Sequence, residues 1–304
     1  MHNLIIRMLK PVFVVMLFSV IALFACFSGF FAPLQYKNKI IIAKGDIPTP
    51  SKYHGAIKSY LEFVVLKSSE IIFQLEIVKK ELKASDLEKA QQAFIKAHQL
   101  YESIQAIVNL FGNVGRIINS QEDYFIDGVK DHRFKGFYLL EYQLFNIKDI
   151  EASLDSTNYL LIQAYDLKER ISISNLNILD LLRASSDFIE IILETKLLKQ
   201  DNIHSFNNLN YIDSNLNGSK AIITHLSSFI PKKTLFEILD NYRSIEDVLF
   251  HYKLINSRYV SYNKFKDKDK MLIYSLFSRQ AELLATLRSL LDVDVYYKYL
   301  EENQ

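Results

Sequence analysis

Apolar residues recur at alternating spacings of four and three along most of the chain. Ile57, Leu61, Val64, Ser68, Ile71, Leu75, Val78 and Leu82 form one stripe, broken only by Ser68. Leu87, Ala90, Phe94, Ala97, Tyr101, Ile104, Val108 and Phe111 form the next, which runs out near Gly112. That period marks helices with one buried face, so two long helices are predicted, joined by a short turn as an antiparallel hairpin. Ser85-Asp86-Leu87-Glu88 reads as the capping box of the second, its hydroxyl and carboxylate serving the free amides of a helix start. No proline lies between Pro50 and Pro231 and glycine is sparse, so long helices are permitted almost everywhere.

Downstream the pattern continues with interruptions. Gly115 to Asp131 reads as a connector with one short helix. The stretch Phe134 to Phe145 reads as a helix with Phe134, Phe137, Tyr138, Glu141, Leu144 and Phe145 on one face. Residues 155–200 hold one or two helices, with Ile178, Leu181, Leu182, Phe188, Ile191 and Ile192 inward. Residues 201–217, rich in Asn and Ser, read as a loop leading into a helix. Pro231 suits a helix's first turn, and Leu235, Ile238, Tyr242, Ile245, Leu249 and Tyr252 step by three and four after it. Residues 256–270 are a polar loop, and Leu272, Leu276, Leu283, Leu287 and Leu290 close the chain in a last helix. No set of strands shows period two, so the predicted fold is an all-α helical bundle.

Composition narrows the function. The 304 residues are enough for a large core, and a 49% hydrophobic content excludes a wholly disordered chain. The formal charge is +1, so no basic excess favours nucleic acid. The single cysteine, Cys26, excludes an intramolecular disulfide framework and a cysteine-based zinc finger.

Residues 1–32 read as a targeting segment. Arg7 and Lys10 precede an uncharged, apolar run from Pro11 to Ala32, and Leu23-Phe24-Ala25-Cys26 approximates a bacterial lipobox, with Phe24 larger than usual at its position. Cleavage would leave Cys26 as a lipidated first residue. An uncleaved signal anchor is the other possibility, since 22 residues at about 1.5 Å each span a bilayer core. Either way the remaining chain is expected outside the cytoplasm, tethered to the membrane. Residues 33–50 hold three of the five prolines and read as a tether, ahead of a helical domain over 51–294 and a tail over 295–304.

Candidate chemistry lies where polar groups interrupt apolar faces. Glu141 stands in the middle of one, and a carboxylate there needs a partner. His98, Glu102, Gln105 and Asn109 form a polar stripe at i, i+4, i+7 and i+11 beside the core stripe of Tyr101, Ile104 and Val108. Facing helices of a bundle bring such carboxylates together around metals. On the residues alone the leading reading is instead structural, with His98 and Glu102 an exposed helix pair worth about a few tenths of a kcal/mol and Tyr138 hydrogen-bonded to Glu141. Glu122, Asp123, Asp127, Asp131 and His132 make an acidic loop, of the sort usually solvated, without the glycine placement or closing glutamate of an EF-hand. Asn215 and Gly218 read as a helix start with a close backbone contact at Gly218.

These stretches carry a resemblance. Gly136-Phe137-Tyr138-Leu139-Leu140-Glu141 resembles the Gly-Phe-His-x-x-Glu signature of the imelysin-like family, and more closely of its EfeO/EfeM branch of periplasmic iron-uptake proteins. Ala97-His98-Gln99-Leu100-Tyr101-Glu102-Ser103-Ile104 is similar to that family's Ala-Arg-x-x-Tyr-Glu-x-Ile. Phe111-Gly112-Asn113-Val114 and Ile118-Asn119-Ser120-Gln121-Glu122-Asp123 are similar to its Phe-Gly-Asp-Leu and Ile-Asp-x-Arg-Glu-Asp, and Ser214–Ser219 to its Ala-Asn-Val-Glu-Gly-Ala.

The resemblance implies two four-helix-like halves and a non-enzymatic, membrane-tethered, extracytoplasmic component that binds iron and hands it to an iron permease. Glu141 and Glu102 would ligate, with Tyr138, His98 and Glu122 assisting. The departures fall on the same site. Tyr138 replaces the signature histidine, and Gln105, Asn119, Gln121 and Asn217 stand where charged residues are expected. His98 or a Tyr138 phenolate would have to make up the ligand set, since iron accepts mixed carboxylate and imidazole donors. A metal-free envelope interaction module is the competing expectation. Peptidase activity, attached to the wider family, has no His-Glu-x-x-His, Gly-x-Ser-x-Gly or catalytic cysteine behind it.

Overall fold

The structure, a computed structural model, describes residues 49–198, 204–254, 258–291 and 293 in full, together with the backbone of three short strands. The leader and Cys26 lie outside the described residues, and among those described no helix is long and apolar enough to cross a membrane. The strands are β1 (Gln35–Tyr36), β2 (Lys39–Ile42) and β3 (Tyr297–Lys298), with β2 antiparallel to both others. They fall in the segments read as tether and tail and belong to a unit separate from the helical body, Thr49–Val293.

The body is all-α, as the periodicity predicts. Its elements are α1 (His54–Lys83), α2 (Leu87–Glu102), α3 (Gln105–Val108), α4 (Asn113–Asn119), α5 (Phe137–Glu141) and α6 (Ile150–Ser172). There follow α7 (Ile178–Ile191), α8 (Asn208–Leu226), α9 (Lys232–Phe250), α10 (Asp267–Ala285) and α11 (Leu287–Leu290). Helix α1 packs along α2 and α6. A second group forms where α7 packs on α8 and α10, and α9 on α8 and α10. Helix α8 joins the groups by touching α1 and α2. The α1 stripe is buried except for half-buried Leu61. Its one polar member, Ser68, donates to the Val64 carbonyl at 2.8 Å, which removes the cost of burying a hydroxyl.

Four local expectations differ from the structure. Ser85 does not start α2. It ends α1, with φ +58°, the Asp86 amide bonding Glu81 O and its own amide bonding Leu82 O, the paired bonds of a left-handed helix stop. The cap of α2 is Asp86, whose carboxylate accepts from the Lys89 amide at 3.0 Å. The apolar stripe of α2 runs to Phe111 in the sequence, but the helix ends at Glu102. The Phe134 helix begins only at Phe137 and continues from Tyr142 to Ile147 as a π-helix, though Phe134, Phe137, Tyr138, Glu141 and Leu144 are all buried. In α10 the inward face is Ile273, Phe277, Gln280 and Leu284, while Leu272 is exposed, as is Leu290 beyond it. Leucines crowd both faces there, so the pattern does not fix the rotation.

Candidate functional site

The end of α2 is where the two helix groups meet. A helix terminus leaves carbonyls without intrahelical partners, and here one of them is satisfied from another helix. Asn215, on α8, donates its amide to the Glu102 carbonyl at 2.8 Å and to Glu102 Oε2 at 2.8 Å. Three residues on, Gly218 faces the same break. A Cβ at Gly218 would lie 2.5 Å from the Ser103 carbonyl oxygen and 2.6 Å from the Phe188 ring. Asn215 and Gly218 are therefore the docking face of α8 on the broken end of α2, in the middle of that helix and not at its start.

Glu102 itself is fully buried, and so are His98 one turn before it and Lys196 in the π-helix Ile192–Leu197 that continues α7. The Lys196 ammonium lies 2.9 Å from Glu102 Oε1. His98 Nε2 lies 3.1 Å from the same oxygen but off the hydrogen-bond line. Aromatic rings enclose the imidazole. Phe137 stacks on it at 4.6 Å with an interplanar angle of 4°, Tyr211 packs at 4.4 Å, and the Tyr138 ring meets it edge-on at 5.7 Å. Lys196 also lies over the Tyr211 ring, 5.7 Å from its centre, a favourable place for a cation.

Burial of this kind pushes a carboxyl's pKa up. At Glu102 the opposing charge of Lys196, with the contacts of His98 and Lys196, outweighs it and holds the group below its ordinary 4.5. The sign of the pH dependence follows. A folded value below the unfolded one contributes stability that is intact above about pH 4.5 and lost as pH falls through the folded value. Other carboxylates titrate in the same range, Asp131 among them, held down by the Arg133 guanidinium. A paired comparison isolates the Glu102 contribution: urea midpoints between pH 7 and 3 should fall more steeply for the wild-type chain than for K196M/E102Q. Parallel curves would mean that Glu102 does not titrate with folding.

The other residues singled out in the sequence are placed as follows. Glu141 is fully buried and its Oε1 accepts the Ser205 amide at 2.9 Å. Glu122 Oε2 lies 3.7 Å from His204 Nε2, and His204 packs edge-on against Tyr142. The turn at His204 and Ser205 thus draws Glu122 and Glu141 toward one segment, while His98 and Glu102 pair with each other and with Lys196. Among the described residues, no three His, Cys, Asp or Glu side chains come close enough to share a metal ion. His98 and Glu102 are not an exposed pair, and of the polar stripe Gln105 is half-buried and Asn109 is exposed, beyond the helix break. A surface cleft between α1, α2 and α8 touches Gln99, Leu100 and Ser103 but neither His98 nor Glu102.

Sequence reasoning missed Lys196 and gave Asn215 no polar role. A signal for Lys196 exists: Phe188, Ile192 and Lys196 fall at spacings of four on the buried face of α7 and its extension, and a lysine on such a stripe needs an anion. Nothing in the local sequence says which anion, since the two partners are 94 residues apart.

No protein-family model matches the chain. Among curated proteins it is similar to the iron uptake system component EfeO of Shigella boydii serotype 4 (strain Sb227), of Escherichia coli O157:H7 and of Escherichia coli (strain K12). Each is 26% identical over 243 residues, 79% of this chain and 64% of the relative. The chain therefore spans less than two thirds of the length of these relatives. Similarity of this extent supports an EfeO-type protein.

Proposed function

We propose that this chain is an extracytoplasmic component of an iron-uptake system, tethered to the membrane by its N-terminal segment and working with an iron permease. The observation that supports it is the similarity to EfeO components over 243 residues, most of the helical body. Iron is cargo in this role and no catalytic step is assigned to the chain.

The contacts proposed for iron are Glu102 and Glu141, assisted by His98, Tyr138 and Glu122. His98 and Glu102 lie side by side and offer imidazole and carboxylate donors, a set that iron accepts. In the folded chain Glu102 is held by its ion pair with Lys196, so iron contact there requires that pair to open. That pair favours a second reading, in which the chain serves the uptake system as a metal-free interaction module.

The test of the role is uptake of labelled iron at low external iron by cells lacking the chain. Uptake is expected to fall and to return when the chain is restored. Unchanged uptake in its absence would sink the proposal.

A further inference from the structure

We infer that Lys196 is a built-in cation, its ammonium taking the place beside Glu102 that a transition-metal ion would need. This deepens the iron-uptake proposal and rests on it in choosing a transition-metal ion as the excluded ligand.

The geometry carries the inference. A fully buried carboxylate needs a positive charge, a proton or several hydrogen-bond donors, and Glu102 has a charge from the chain itself, 2.9 Å away. The surrounding donors are those of a cation site. One carboxylate oxygen faces the ammonium with the His98 Nε2 3.1 Å off, and the Asn215 and Gln105 side-chain amides adjoin. Four buried polar atoms here have no hydrogen-bond partner among the described residues: His98 Nδ1 and Nε2, Tyr101 Oη and Asn215 Oδ1. Carboxylate, imidazole and amide oxygen together suit a divalent first-row metal. With the ammonium in place, a dication would meet an already neutralised carboxylate and a like charge within contact distance, in a site with little water to screen it.

Removing the ammonium should then open the site. The measurement is anaerobic titration of the full chain with ferrous iron, and with cobalt(II) as a spectroscopic probe, for the wild type, K196M and K196M/E102Q. K196M is expected to bind at least about a hundredfold more tightly than the wild type, with saturable cobalt absorption bands and a rise in melting temperature on adding metal. K196M/E102Q should lose that binding, because the carboxylate that holds the metal is gone. K196Q, whose amide still donates to Glu102, serves if K196M does not fold without metal, and is expected to gain affinity in the same direction.

Two results would overturn the inference: wild-type chain that binds as tightly as K196M at a site abolished by E102Q, or lysine variants that gain nothing. The titration needs no permease and no cells. A negative uptake experiment would therefore fail the functional proposal without touching this result, and a negative titration would leave the uptake role standing.

Discussion

K196M alone is expected to destabilise the fold by about 3–5 kcal/mol, because it strands a buried carboxylate without its counter-charge. Glu102 keeps the Asn215 amide and the His98 contact, but neither supplies a positive charge equal to the one lost. The chain has two poor options. It can hold an unpaired anion in the core, or protonate Glu102 and give up the pairing that holds the end of α2 against α7. A domain with the usual margin of about 5–15 kcal/mol would lose a large part of it. The double change K196M/E102Q should recover most of the loss, since a neutral amide beside a thioether has no charge to desolvate. Urea unfolding of the three chains at pH 7 measures both numbers. Equal losses for the single and double variants would mean that Lys196 acts through its packed aliphatic stem and not through its charge.

Gly136→Ala is expected to cost about 3 kcal/mol or more, from two causes that add. Gly136 has φ +84° and ψ −153°, a region essentially reserved for glycine, where another residue pays about 1–3 kcal/mol. Its missing Cβ also leaves room for the backbone of α4. A methyl group there would overlap the Ile118 carbonyl oxygen and come within 2.8 Å of that of Ile117, and overpacking of this kind costs about 1–3 kcal/mol more. The backbone carbonyl cannot swing away as a side chain could. The effect reaches the site, because Gly136 sets the start of α5 and Phe137, the next residue, stacks on His98. Gly55→Ala is the control. It lies in α1, where the added methyl group would meet nothing within 4 Å beyond its own helix backbone and chain neighbours, so its effect should stay within about 1 kcal/mol. Comparable losses at both positions would show that the tight approach at Gly136 is not what demands a glycine.

Much of the helical body is legible in the chain because the signal is local. The α1 stripe from Ile57 to Leu82 is buried as its period requires, and the α9 stripe from Ile238 to Leu249 likewise. Where the sequence misleads, two local preferences compete. Ser85 looks like a helix start because serine is a good cap, yet it takes the left-handed stop of α1 and leaves the capping to Asp86. The stripe through Ile104 and Val108 continues in the buried residues, but the helix does not. The Glu102 carbonyl bonds to Asn215 on another helix, and Ile104 has φ −124° and ψ 0°.

The sequence by itself determines the all-α class, most of the buried faces, the polar interruptions at His98, Glu102 and Glu141, and the ordered likeness to iron-uptake proteins. Hydrophobic period and short motifs are properties of neighbouring residues, so they can be read without a fold. What only the tertiary structure decides is what those carboxylates are paired with. Glu102 meets Lys196 and Asn215 across 94 and 113 residues of chain, and Glu141 meets the Ser205 amide across 64. A buried charge takes its partner from whichever helix packs against it, and that choice is fixed by the assembly of α2, α7 and α8 around one another. The same carboxylate that reads in the sequence as a metal ligand is, in the fold, half of an internal ion pair.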